Sequence, residues 1–207
     1  MSDIIIDGDK SAPLFVFAHG AGAGMEHSFM SVIAQGLAKK WIQVLRFDFP
    51  YMQKRRLDGK KRPPDRAPKL LEHFQAVIDQ HTTKPVVIGG KSMGGRMASL
   101  LADKDLVSGV ACLGFPFHPP GKPEKYKGEH LAELTKPCLI LQGERDTFGK
   151  KEEVEQFELA KSISVDYLPD GDHSFKPRKA SGFTEEQNLD LAIEKLSQFI
   201  FEVSNAS

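Results

Sequence analysis

The sequence predicts an α/β fold class, with a doubly wound and mostly parallel sheet of about six to seven strands. Short apolar runs recur along the chain, and amphipathic helical segments separate them. Near-continuous apolarity is typical of strands that are buried on both faces of a parallel sheet. The predicted strands are 14–18, 42–47, 86–90, 107–115, 138–142 and 163–168, and residues 4–6 are a candidate for an extra edge strand.

Three segments between or after these runs carry apolar side chains at helical spacing, which indicates helices that pack on the sheet. The apolar positions are Leu70, Leu71, Phe74, Val77 and Ile78; Met93, Met97, Leu100 and Leu101; and Leu189, Ala192, Leu196, Phe199, Ile200 and Val203. Two other segments, 51–67 and 115–129, interrupt the alternation with basic residues and prolines and are predicted to be long loops. Each follows a strand, so both should lie at the carboxyl edge of the sheet, where open α/β folds bind ligands.

Length, charge and cysteine content narrow the class of protein. With 207 residues and 40% hydrophobic content, we expect one domain over residues 1–207. The 28 basic and 28 acidic side chains balance, so overall charge predicts neither nucleic acid nor membrane as a partner. No basic leader and no bilayer-length apolar segment is apparent, so we expect a cytoplasmic protein. Cys112 and Cys138 lie in apolar runs, which favours buried thiols over a disulfide framework or a metal site.

The sequence 90–94, Gly-Lys-Ser-Met-Gly, is the most specific motif in the chain. It follows a predicted strand and opens a helical segment, which is the setting of a nucleophile elbow. This predicts Ser92 as the nucleophile of a serine hydrolase. A phosphate-binding loop would need a glycine where Pro85 stands, so that alternative fails. A helix start in which Ser92 only caps backbone N–H groups remains as the second interpretation.

A serine nucleophile needs a histidine base and a carboxylate that orients it, in the chain order nucleophile, acid, histidine. Asp146 follows the strand 138–142 and His173 follows the strand 163–168, so we predict them as acid and base. Glu144 and Asp172 are rivals for the acid. His73 and His81 lie on or near a helix with no strand end behind it, and His130 lies in a poorly defined segment. His118 lies in the proline-rich loop and is better suited to lining the pocket.

The glycine-rich segment 19–24 follows the first parallel strand and can aim a backbone N–H at the reacting oxygen. We predict the N–H groups of Ala21 and Met93 as the oxyanion hole. An ordinary flexible loop and a dinucleotide-binding turn are the alternatives. The third glycine comes one residue too early for the latter.

Six further side chains are candidates for the substrate pocket because they follow predicted strand ends or lie beside the motifs. They are His19, His27, Lys91, Phe115, Phe117 and His118. Segment 51–67 carries seven basic side chains, which form either a solvated surface or a cationic rim that favours anionic substrates.

The motifs HGAGAG (19–24), GKSMGGR (90–96), GFPFHPPGKP (114–123), GERD (143–146) and GDHSF (171–175) together resemble one branch of small α/β-hydrolases related to dienelactone hydrolase. That branch includes a testis-expressed vertebrate protein and a subunit of a histone-acetyltransferase complex. The resemblance covers nearly the whole chain and implies an α/β-hydrolase fold in which Ser92, Asp146 and His173 form a triad. Dienelactone hydrolase itself uses a cysteine nucleophile, so its substrate is not implied here.

From the sequence we therefore expect a serine hydrolase with little or no lid, which cleaves a small carboxylic ester or thioester through an acyl-serine intermediate. This chemistry requires no metal and no organic cofactor. A catalytically idle hydrolase shell that serves as an interaction protein is the main alternative. A small peptidase is the other, although its substrate would need a longer cleft than short connections provide.

Overall fold

A computed structural model describes residues 4–206 of the chain. Its seven strands form one sheet. The strands are β1 (Ile4–Asp7), β2 (Leu14–Ala18), β3 (Gln43–Phe47), β4 (Val86–Lys91), β5 (Val107–Leu113), β6 (Cys138–Gly143) and β7 (Ile163–Leu168). The spatial order is β1-β3-β2-β4-β5-β6-β7, with β2 to β7 parallel. The α/β fold predicted from the apolar runs is confirmed, and the strand bounds differ from the prediction by two residues at most.

Strand β1 is the antiparallel member of the sheet and lies at one edge. It pairs with β3 in a register that sets Ile4 opposite Phe47 and Asp7 opposite Val44. The candidate edge strand at residues 4–6 is therefore confirmed. The opposite edge is β7, which pairs with β6 alone.

Six α-helices accompany the sheet in the described residues. They are α1 (Ser28–Lys39), α2 (Pro50–Asp58), α3 (Ala67–His81), α4 (Met93–Ser99), α5 (Lys151–Val154) and α6 (Glu185–Ala206), and single 3₁₀ turns cover Glu129–Glu133 and Lys179–Ser181. Helix α4 is shorter than its apolar pattern indicates, because Leu100 and Leu101 lie in the turn that follows it.

The helices pack on both faces of the sheet, as the side-chain alternation of β2 illustrates. Phe15 and Phe17 point into a core shared with α1 and α6, whereas Val16 and Ala18 point into a core shared with α3 and α4. Each face is thus covered by two helices, which is the arrangement of a doubly wound sheet. All the parallel strands consequently end at the same edge, and the segments after β2, β4, β6 and β7 meet there.

Segment 51–67 is not a loop throughout, which corrects the prediction made for it. Helix α2 occupies Pro50–Asp58 because Pro50 supplies a preset φ at the first turn, and Gly59 ends the helix with φ +71°. The many basic residues made the segment resemble a loop, so the helix signals of Pro50 and Gly59 were not recognised. Segment 115–129 is irregular over its length, as predicted, up to the 3₁₀ turn that begins at Glu129.

Cys112 and Cys138 are buried free thiols on neighbouring strands, as predicted. Within residues 4–206, no helix combines the length and the apolar character that crossing a bilayer requires.

Candidate active site

Ser92 lies on a strained turn between β4 and α4. Its backbone has φ +52° and ψ −117°, a conformation that non-glycine residues seldom adopt. The turn brings α4 very close to the strands: a Cβ on Gly90 would lie 2.3 Å from the carbonyl carbon of Gly94, and one on Gly94 would lie 2.5 Å from the carbonyl oxygen of Ala18. The flanking glycines therefore permit the close backbone approach that raises Ser92 above the sheet edge.

A chain of hydrogen bonds joins Ser92, His173 and Asp146. The Ser92 Oγ atom lies 2.9 Å from Nε2 of His173, and Nδ1 of His173 lies 2.8 Å from Oδ2 of Asp146. A carboxylate only accepts, so Nδ1 carries the proton that it donates to Asp146. Nε2 then holds a lone pair that accepts the Ser92 hydroxyl proton. The three residues follow β4, β6 and β7, and the sheet alone brings them together.

Asp146 is fully buried and is held by more than His173. Its Oδ2 atom accepts from Nε2 of Gln142 at 3.0 Å, and its Oδ1 atom accepts the backbone N–H of Phe148 at 2.9 Å. Gln142 in turn accepts the N–H of Phe115 through Oε1 at 2.8 Å. Gln142 was not among the residues predicted from the sequence, although an amide at the end of the apolar strand β6 was an available signal.

Residues 169–178, here called the base loop, carry His173, and several contacts hold this loop in place. Asp170, with φ +49°, pairs with the guanidinium groups of Arg178 and Arg145. Asn188 on α6 donates to the carbonyls of Pro169 and Phe175, at 2.9 and 2.8 Å. These contacts fix both ends of the loop.

A cavity of about 310 Å³ opens beside Ser92 and His173. Its wall is mainly apolar, and the Phe148 ring that contributes to it also stacks on the His173 imidazole, with centroids 4.3 Å apart. The lining residues are Gly20, Ala21, Gly22, Ala23, His27, Phe29, Met30, Lys91, Ser92, Phe148, His173 and Ser174. An apolar pocket with a few convergent polar groups is the usual form of a small-molecule site.

Residues 19–24, here called the oxyanion loop, form one side of this cavity. Tyr51 donates to the carbonyl of Ala21 at 2.9 Å. His19 accepts the N–H of Phe49 through Nε2 at 3.0 Å, so its Nδ1 carries a proton and donates to the carbonyl of Gly20 at 2.6 Å. Burial lowers the pKa of His19, which keeps this donor pattern by disfavouring the charged form. Both loop carbonyls are therefore held by side chains of the protein.

Ala21 and Met93, the two predicted oxyanion donors, both belong to segments beside Ser92. Ala21 lines the cavity together with Ser92. Met93 is the first residue of α4, and the first N–H groups of a helix have no carbonyl partner within the helix.

The other predicted pocket residues divide into two groups. His27 and Lys91 line the cavity, whereas His19, Phe115, Phe117 and His118 do not. Segment 115–129 instead packs beside α5, where Nε2 of His118 lies 3.4 Å from Oε2 of Glu153. His19, the first residue of the oxyanion loop, is itself fully buried.

The two rival acids hold backbone of the base loop. Oε2 of Glu144 accepts the N–H of Asp170, and Oδ1 of Asp172 accepts the N–H groups of Ser174 and Lys176. The carboxylate at Nδ1 of His173 is that of Asp146.

A second serine–histidine contact occurs at the other end of α4. Ser99 Oγ lies 2.8 Å from Nε2 of His130 and 2.9 Å from the carbonyl oxygen of Arg96. A carbonyl only accepts, so the hydroxyl donates to Arg96 and accepts from His130. In this arrangement His130 is a donor, not a base for Ser99. The pair lines a different cavity, of about 190 Å³.

Comparison with known proteins agrees with this fold. Residues 11–201 match the family described as alpha/beta hydrolase domain, and the chain belongs to that family. Est1E from Butyrivibrio proteoclasticus, with ferulic acid bound, superposes with a TM-score of 0.72 at 20% identity, over 98% of this chain and 95% of that one. A monoacylglycerol lipase from Paleococcus ferrophilus gives 0.70 at 14% identity, over 96% and 99%. A dienelactone hydrolase from Anabaena variabilis gives 0.67 at 16% identity, over 96% and 90%.

Proposed function

We propose that the protein is a serine hydrolase that cleaves a small carboxylic ester or thioester through an acyl-Ser92 intermediate. One observation carries the proposal: the hydrogen-bonded chain Ser92–His173–Asp146 ends at a cavity of small-molecule size. In this tautomer His173 is ready to accept the hydroxyl proton, and the buried carboxylate of Asp146 stabilises the imidazolium that forms.

In the first half-reaction, Ser92 Oγ attacks the substrate carbonyl carbon while its proton moves to Nε2 of His173. The carbonyl oxygen becomes an oxyanion, which the N–H groups of Ala21 and Met93 would stabilise. When the tetrahedral intermediate collapses, the bond to the leaving group breaks. The leaving alcohol or thiol takes the proton from Nε2, and the acyl group stays on Ser92.

The second half-reaction repeats these steps with water. His173 takes a proton from water as its oxygen attacks the acyl carbon, and the second tetrahedral intermediate expels Ser92 Oγ, which regains the proton from Nε2. The carboxylic acid is released and the resting tautomer returns.

The cavity supports a short or aromatic acyl group. Its volume of about 310 Å³ and its wall of Phe29, Met30 and Phe148 suit a compact apolar substrate. The small carboxylic acid bound to Est1E supports a small-molecule substrate here as well.

Basic residues of α2 border a second cavity of about 340 Å³ on the far side of the oxyanion loop. Arg55 donates to the carbonyl of Gly22, which both cavities share, while Arg56 lies 3.5 Å from Asp48. We infer a weak cationic rim at this position. Carboxylates offset part of the charge of segment 51–67, because Asp58 pairs with Arg62 and Asp65 pairs with Lys69.

We also propose, from the five motifs quoted above, that the chain falls in the dienelactone-hydrolase-related branch that contains the testis-expressed protein and the acetyltransferase-complex subunit. This placement predicts a small hydrolase. Because the branch includes a complex subunit, the alternative of a catalytically idle interaction protein also needs a test.

A fluorophosphonate probe tests the proposed function. Intact-mass analysis should find one adduct on the wild-type protein and none on Ser92→Ala. Ser99→Ala is the matched control, because it removes the other serine that contacts a histidine, and it should be labelled like the wild type. No adduct on folded wild-type protein would favour the idle shell, and an adduct that persists in Ser92→Ala but not in Ser99→Ala would move the site to His130.

A further inference from the structure

Lys91, the residue before the nucleophile, is a buried cation in the wall of the catalytic cavity. It is 8% exposed, and it lines the cavity beside Ser92. Its ammonium lies 5.4 Å from the ring centroid of Phe29, another cavity residue, and 5.8 Å from that of Phe175. A Cβ on Gly114 would lie 2.7 Å from Nζ, so a glycine there leaves room for the charged group.

The ammonium is underpaired for so buried a group. Its hydrogen bond in the described structure goes to the backbone carbonyl of His173. An ammonium has three donors, and no carboxylate of residues 4–206 forms an ion pair with Lys91 within 4 Å. Burial lowers the pKa of Lys91 to about 8, against the opposing effect of the carboxylates of Asp146 and Asp172.

The residues that line the cavity include no aspartate or glutamate. A desolvated cation in such a wall is stabilised by an anion that enters the cavity. The leaving group must depart to solvent, whereas the acyl group stays bonded to Ser92, the residue next to Lys91 in the cavity wall. The part of the substrate that meets Lys91 is therefore the acyl part.

We infer that Lys91 is a specificity residue that pairs with a carboxylate on the acyl group, so that the preferred substrates are half-esters or half-thioesters of short dicarboxylic acids. This inference rests on the proposed serine-hydrolase function and names its substrate class. It differs from the cationic rim of α2, because Lys91 lines the cavity beside Ser92, whereas Arg55 and Arg56 line the second cavity.

The test compares two 4-nitrophenyl esters of equal chain length, the hydrogen adipate and the hexanoate, which differ in a terminal carboxylate. The measured quantity is the ratio of kcat/KM for the anionic ester to that for the neutral ester, in high salt to screen rim effects. We expect the ratio to fall at least about tenfold in Lys91→Met, because a partly buried charge pair is lost. Any general loss of activity cancels in the ratio.

Two exposed lysines supply matched controls with the same substitution. Lys54→Met, on α2, should change the ratio at low salt alone, and Lys104→Met, after α4, should leave it unchanged. An unchanged ratio in Lys91→Met, or an equal loss with both esters, would overturn the inference and leave Lys91 as an anchor for the His173 carbonyl.

A second measurement needs no variant and stands even where Lys91→Met fails to fold. In the wild type, the ratio should fall as pH rises through about 8, because the neutral amine no longer pairs with the carboxylate. The groups that face Lys91 are His173, Asp146 and Asp172, and their effects on the reaction are common to both esters and cancel in the ratio. A ratio that is flat with pH would count against the inference. Failure of the proposed function would look different, since neither ester would be cleaved.

Discussion

Gln142 donates from Nε2 to Oδ2 of Asp146 at 3.0 Å, the same carboxylate oxygen that accepts the Nδ1 proton of His173. Gln142 is itself fully buried and is held by the backbone of Phe115. The amide therefore sets the position of the carboxylate, and through it the orientation of the imidazole. Gln142 is a positioning residue in the proposed reaction.

Gln142→Leu should lower kcat about tenfold with little change in KM, because a misoriented Asp146 loses roughly one hydrogen bond's worth of stabilisation. The free energy of unfolding should also fall by about 1–3 kcal/mol, since the buried N–H of Phe115 loses its acceptor. Gln156→Leu, on an exposed site, is the control and should change neither quantity. The expected loss of stability together with a normal kcat would reduce Gln142 to a structural role.

Asp146→Asn should keep the fold and lower kcat by several orders of magnitude. An amide can donate to Nδ1 and so favours the tautomer in which Nε2 carries the proton and cannot accept from Ser92. Asp172→Asn is the matched control, because that carboxylate holds backbone N–H groups of the base loop. Steady-state kinetics on both variants would redirect the assignment if Asp172→Asn caused the larger loss.

Tyr51→Phe should lower kcat by roughly tenfold, less than the loss of an oxyanion donor itself. The hydroxyl holds the carbonyl of Ala21, so its removal lets the neighbouring N–H groups turn away from the oxyanion. Tyr167→Phe, on β7, removes a hydroxyl away from the site and should retain wild-type kcat. Burial raises the pKa of Tyr51, so the hydroxyl remains a donor at every pH suitable for the assay.

Gly94→Ala should destabilise the fold severely, because its Cβ would lie 2.5 Å from the carbonyl oxygen of Ala18 and 2.6 Å from that of His19. We expect a loss of several kcal/mol, or insoluble protein. Gly22→Ala is the control for stability, since a Cβ there meets nothing within 4 Å. Thermal unfolding of the two variants checks the contrast, which would vanish if α4 could shift away from the sheet.

The pairing of Asp170 with Arg178 should stabilise the base loop down to strongly acid pH. The hydrogen bond from the Arg178 side chain lowers the pKa of Asp170 to about 2. A lowered carboxyl pKa gives stabilisation that is complete above the usual aspartate range and is lost as pH falls towards about 2. The difference in Tm between wild type and Asp170→Asn should therefore be largest near neutral pH and narrow in acid. A difference that does not depend on pH would assign the effect to packing.

The strands of this fold are predictable because burial on both faces leaves a strong apolar signal, as in Leu14–Ala18 and Cys138–Gly143. Helix α2 was missed because four of its nine residues are charged, and the capping signals of Pro50 and Gly59 were outweighed. Helix α1 was also not singled out, although Phe29, Ile33 and Leu37 have helical spacing.

The hydrogen-bonded chain of Ser92, His173 and Asp146 could be anticipated because each residue follows a strand end in the chain order of this fold. The apolar side chains of the cavity wall could not be predicted in this way. Phe29 and Met30 reach the site from α1, and Phe148 reaches it by stacking on His173, which are relationships between distant segments. Phe115 and Phe117 follow β5 as expected but turn into the core on the α3 side of the sheet.

The proposed base His173 follows β7, an edge strand that can pair only after β6 is in place, and Asn188 of α6 holds both ends of its loop. Parallel strands need long-range contacts, which form slowly. A chain emerging from the ribosome would contain Ser92 and the oxyanion loop long before His173 was held in position. Covalent labelling at Ser92 during refolding would thus report the docking of β7 and α6. Ser92 would not be labelled in any intermediate in which these two elements have not docked.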